Sequence, residues 1–171
     1  MKKNIHIVLL GDSLTARGDW KNDLLKENLV NLGIDGDTTK GVLNRVDSAI
    51  DLEPNILFLM IGINDLCTSI PLKDVFESYK KIVLKFENTN IKLIVQAIIL
   101  TQMNPVNKKI IEFNHLLKEY CDSKGLIFFD INPKLSQNGF LKETYTTDGL
   151  HLNLKAYKVW AQEIKGNTFF S

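Results

Sequence analysis

Residues 7–15, IVLLGDSLT, decide how the rest of the chain is read. Ile7 to Leu10 are apolar without interruption, and the run stops at a glycine, a carboxylate and a hydroxyl. Such a run lacks the alternation of a strand with one wet face, so it predicts a strand covered on both sides, as in a parallel sheet. Asp12 and Ser13 then leave its carboxyl end. The pattern returns at ILFLMI (56–61), IKLIVQAIIL (91–100) and LIFF (126–129), with a weaker LVNLGI at 29–34 nearer an edge.

Helical spacing fills the intervals. One set is Trp20, Leu24, Leu25 and Leu29, and another is Val42, Val46, Ala49 and Ile50. Val75, Tyr79, Ile82, Val83 and Phe86 form a third face, and Val106, Ile110, Phe113 and Leu117 a fourth. Pro71 and Pro105 stand where first turns would begin, Asn104 is placed to cap the second of these helices, and Gly125 marks its stop. A last helix follows Asn153 through Leu154, Tyr157, Ala161 and Ile164. Alternating strands and helices with right-handed crossovers predict an α/β fold, a three-layer α/β/α sandwich around a five-stranded parallel sheet. The expected flavodoxin-like order, 2-1-3-4-5, opens a crevice between the ends of the first and third strands.

The 171 residues suit one domain over 1–171, burying roughly 70% of the unfolded surface. A net charge of +1 gives nucleic acid or an anionic membrane no electrostatic hold. The apolar run after MKKNIH is too short for a secretory signal and lacks a small-residue cleavage site. No stretch approaches the roughly 20 apolar residues of a membrane span. Cys67 and Cys121 lack C-x-x-C spacing, which predicts reduced thiols, a cytoplasmic location and no metal site.

The strand ends bring chemistry to the crevice. The first delivers Gly11, Asp12 and Ser13; the second GIDGDTT (33–39) with Gly36; the third GIND (62–65) with Asn64. TDGLHLN (147–153) puts Asp148 three residues before His151, just ahead of the last helix. A serine hydroxyl is a poor nucleophile at neutral pH without a base, and His151 is the best-placed candidate. Asp148 could accept from the other ring nitrogen and fix its tautomer. The backbone N–H groups of Ser13 and Gly36 and the Asn64 amide would supply an oxyanion hole, where one lost donor typically costs about 3 kcal/mol.

Taken together, GDSLT (11–15), GIDGDTT, GIND and DGLH (148–151) resemble, in order and across nearly the whole chain, the sequence blocks of the SGNH or GDSL-type esterase and acylhydrolase family. The resemblance implies Ser13 as nucleophile, His151 as base and Asp148 as its orienting partner, with Ser13, Gly36 and Asn64 as oxyanion donors. It also implies a three-layer fold that uses no metal or cofactor. Compact members resemble acetylhydrolases and carbohydrate esterases, so the expected substrate is a small-molecule acyl ester carrying an acetyl or other short acyl group. Thioesterase and lysophospholipase activities lie within the same range.

Other residues carry two readings each. Arg17 is a solvated charge or a substrate contact, and Trp20 a core residue or an acyl-pocket wall. Thr101 and Gln102 line the pocket or simply serve their loop. Asp12 is expected to bond loop amides beneath the site, Asp65 to cap a loop, and Cys67 to pack in the core. Aromatics near the terminal NTFFS would support a homodimer if exposed. Two rival functions fit parts of the pattern. A phosphoryl-accepting signalling module would use Asp12, Asp65, Thr101 and Lys134 but leaves Asp148 and His151 unexplained. A catalytically silent binder of acylated carbohydrate would keep the fold without turnover.

Overall fold

The computed structural model describes residues 6–170. Chain order runs β1 (Ile7–Gly11), α1 (Ser13–Ala16), α2 (Trp20–Leu24), β2 (Leu29–Gly33), α3 (Thr39–Ile50), β3 (Ile56–Met60), α4 (Ile63–Leu66) and α5 (Leu72–Leu84). It continues through β4 (Lys92–Gln96), α6 (Asn104–Lys124), β5 (Ile127–Phe129), α7 (Asn132–Leu135), a hairpin of β6 (Ser136–Gln137) and β7 (Phe140–Leu141), and α8 (Leu154–Lys165). The first five strands form one parallel sheet in the order β2-β1-β3-β4-β5, as the sequence predicts.

Alternate residues of each central strand face opposite layers. Ile7, Leu9, Phe58 and Ile94 pack beneath α2 and α8, whereas Val8, Leu10, Leu57, Leu59 and Val95 pack beneath α3, α5 and α6. Every residue of β1 and β3 is buried, which is why those strands lack polar alternation. With both faces covered, the polar groups of the central strands are confined to the strand ends.

Several local expectations change. Leu25 does not continue a helical face: it adopts a left-handed conformation that ends α2 after five residues and is 78% exposed, while Leu29 opens β2. Asn104 lies inside α6, because the first helical bond runs from the Asn107 N–H to the Met103 carbonyl and makes Met103 the cap. Cys67 is exposed rather than packed in the core. Phe169 and Phe170 are buried, Phe169 edge-on to Phe58 and Phe129, which removes the exposed patch on which the homodimer expectation rested. Among the described residues no helix is long and apolar enough to cross a membrane.

One close approach positions the start of α1. A Cβ built on Gly33 would lie 2.2 Å from the Ala16 backbone nitrogen, so the end of β2 and the turn carrying Ser13 touch backbone to backbone. Gly33→Ala is therefore expected to destabilise the protein by about 1–3 kcal/mol, read as a lower urea midpoint at unchanged slope.

Candidate active site

Strand ends and one loop assemble the site. Asp12 caps α1 through its side chain, and Ser13 follows as the first helical residue. The Ser13 hydroxyl lies 3.1 Å from His151 Nε2, across 138 positions of sequence. His151 Nδ1 lies 2.6 Å from Asp148 Oδ2. The carboxylate opposite Nδ1 keeps the proton there, leaving the Nε2 lone pair toward the hydroxyl. Sequence reasoning paired these residues, and the fold brings them into one continuous chain.

The loop holding the imidazole is itself tightly bonded. Asp148 Oδ1 accepts from the Leu150 and His151 backbone N–H groups, while the Thr146 hydroxyl donates to the His151 carbonyl at 2.6 Å and accepts from the Gly149 N–H. Bonding to the imidazole first, and then to the two amides, holds the Asp148 carboxyl well below the usual carboxylate range. The mouth is open: the Asp148 side chain is 51% exposed and that of His151 23%.

The oxyanion candidates lie on the segments that follow β1, β2 and β3. Gly36, in the loop after β2, takes a positive φ of 77° and leaves open space beside its Cα. Asn64 sits in α4 and donates from Nδ2 to the Asp37 carbonyl at 2.7 Å, which ties the GIND segment to the residue after Gly36. The backbone N–H groups of Ser13 and Gly36 have no protein acceptor among the described residues. Such free donors at strand ends can receive a developing negative charge.

The remaining candidates separate. Arg17 forms a bidentate ion pair with Asp35 at the exposed rim. Trp20 is not a pocket wall: it is 1% exposed, donates its indole N–H to the Thr15 carbonyl, and packs edge-on against Tyr157 and Trp160. Thr101 is likewise enclosed, bonded to the Asn107 side chain, so it cannot line a pocket. Gln102 is exposed; its N–H donates to the Gly149 carbonyl, and its side chain borders an open groove of about 660 Å³ beside the β6–β7 hairpin. The short hairpin escaped sequence reading because two-residue strands carry no periodicity.

Asp65 and Lys134 both have partners within the fold. Asp65 is buried and accepts from the Thr39 N–H and hydroxyl, fastening the start of α3. Lys134 pairs with Glu163 on α8. Asp65 is thus committed to Thr39 and not free to accept a phosphoryl group. Asp12 is almost fully buried and accepts from the Leu14 N–H through Oδ1, while Oδ2 has no partner among the described residues. Burial, with Asp37 and Asp65 nearby, raises its pKa to about 7. Carboxyl carbon NMR is expected to show an Asp12 step near about 7 and no Asp148 step in the ordinary carboxylate range. A normal Asp148 titration would contradict the bonding around His151.

Residues 9–159 match the GDSL-like lipase/acylhydrolase family. Among curated proteins, the chain is 28% identical over 167 residues to an N-acylneuraminate cytidylyltransferase of Streptococcus agalactiae, covering 92% of this chain and 39% of that protein. The chain thus spans about two fifths of the length of the curated relatives it matches. Among solved structures, the fold is similar to a GDSL-like lipase from Bacteroides thetaiotaomicron, with TM-score 0.84, 22% identity and coverage of 96% of this chain and 88% of that one. It is also similar to an acetylxylan esterase from Geobacillus stearothermophilus, with TM-score 0.78, 18% identity and coverage of 92% and 91%. The ordered blocks and the match along most of its length show that the chain belongs to the GDSL-like lipase/acylhydrolase family.

Proposed function

We propose that this chain is a serine carboxylic-ester hydrolase that removes acetyl or another short acyl group from a small-molecule or carbohydrate ester through an acyl-enzyme. The observation that carries this reading is the unbroken hydroxyl, imidazole and carboxylate chain of Ser13, His151 and Asp148. Ser13 Oγ bonds to the ester carbonyl carbon while its proton passes to His151 Nε2. The carbonyl oxygen, now negative, is received by the N–H groups of Ser13 and Gly36 and the Asn64 amide. The carbon–oxygen bond to the alcohol then breaks, and the imidazolium returns its proton to the departing alcohol. Water repeats the attack with the same imidazole as base and releases the acid.

Turnover of p-nitrophenyl acetate by wild type and Ser13→Ala tests the mechanism. The substitution is expected to lower kcat by about 10³-fold or more, since a nucleophile has no substitute in the site. Equal rates would refute attack by Ser13, and a silent binder would show no enzymatic turnover in either protein.

The mouth of the site is open at Asp148 and half-buried His151, and a short acyl group is supported by the acetyl in the name of the esterase whose fold this chain resembles. A carbohydrate as the alcohol portion is supported by relatives whose names specify N-acylneuraminate and acetylxylan. In a series of p-nitrophenyl esters, kcat/KM is expected to fall as the acyl chain lengthens beyond acetyl. Acetylated sugars should exceed acyl thioesters of equal chain length, and a preference for octanoyl esters would overturn the short-acyl assignment.

A further inference from the structure

Arg45 belongs to none of the motif blocks, yet its guanidinium bonds to three segments that lead to the proposed oxyanion donors. It projects from α3 with its side chain 21% exposed. Nη2 donates to the Gly11 carbonyl at 3.0 Å, two residues before Ser13. Nη1 donates to the Leu32 carbonyl at 2.8 Å, near the end of the strand that leads to Gly36. Nε donates to Asp37 Oδ2 at 2.8 Å, and Nη2 lies 2.7 Å from the same oxygen. Asp37 follows Gly36 directly, and its carbonyl accepts the Asn64 amide.

One rigid planar cation therefore spans the ends of β1 and β2 and reaches the third donor through Asp37. We infer that Arg45 is a positioning residue for the oxyanion hole, holding the segments that carry the Ser13, Gly36 and Asn64 donors in one arrangement. Planarity matters here because the guanidinium presents several N–H groups in a fixed fork, which an ammonium cannot reproduce. Donors placed in advance stabilise a developing charge without reorganising, so a small loss of registration lowers the rate while substrate affinity changes little. The inference rests on the serine-hydrolase reading above.

The test compares wild type, Arg45→Met and Arg45→Lys in kcat and KM for p-nitrophenyl acetate and in Ki for phenylboronic acid. That probe adds Ser13 Oγ to boron, with the serine proton passing to His151 and one boronate hydroxyl taking the oxyanion position. Ki is independent of the fraction of folded enzyme, so a merely structural role lowers the apparent kcat without moving Ki. Arg45→Met is expected to lower kcat and raise Ki by a similar factor of about 10 to 100, with KM within about twofold. Arg45→Lys should recover only part of both, and it decides the matter alone if the methionine variant does not fold. An unchanged Ki in the variants, with Ser13-dependent turnover in wild type, would overturn the role of Arg45 alone. Absence of Ser13-dependent turnover in wild type would overturn the hydrolase reading and this inference with it.

Discussion

The hydrogen bond between the Ser13 hydroxyl and the His151 imidazole joins opposite ends of the chain, so both ends must be held in register to within a fraction of an ångström. Much of that registration comes from α8 and the loop before it. The Tyr157 hydroxyl donates to the Leu14 carbonyl at 2.8 Å, linking α8 directly to the residue after Ser13. Trp20 stands edge-on to both Tyr157 and Trp160, and the Trp160 indole N–H donates to Gln96 at the end of β4. Aromatic pairs of this kind add about 0.5–1.5 kcal/mol each beyond the area they bury. Trp20 thus acts on the site from underneath, by fixing the helix that follows His151.

The parallel sheet supplies the second requirement. Its strands run in one direction with both faces covered, so their carboxyl ends form one rim. Ser13, Gly36 and Asn64 come to that rim from β1, β2 and β3, whose lateral order places β1 between the other two. His151 arrives from a loop outside the sheet. Its Asx-type turn about Asp148 and the Thr146 clamp substitute for the ladder bonds that a strand would have provided.

Strand order was legible because it depends on hydrophobic runs, and Asp148 with His151 because they share one loop. Ser13 and His151, 138 positions apart, were joined instead by the serine's need for a base and by the resemblance of the ordered blocks. Side-chain direction was less so. Thr101 follows a buried strand, a position compatible with pocket lining, but the Asn107 amide one helical turn into α6 captures it. Phe169 and Phe170 follow the last helix, where exposure is the ordinary expectation, and instead fold back onto the sheet. Arg45 did leave a trace: it falls on the same helical stripe as Val42 and Ala49, where a charge has to find partners. Which carbonyls it finds depends on the crossover geometry, and no spacing rule encodes that.

The solitary Oδ2 of Asp12 has a thermodynamic consequence for the whole chain. Burial raises its carboxyl pKa from 3.8, the ordinary aspartate value, to about 7, and shifts Asp65 in the same direction. The native state therefore holds protons that the unfolded chain gives up, so folding in weakly acidic solution is accompanied by proton uptake. That contribution to stability is fully present below about pH 4 and fades as pH rises through about 7. The buried carboxyl that precedes the nucleophile thus couples the acidity of the surroundings to how firmly the chain stays folded.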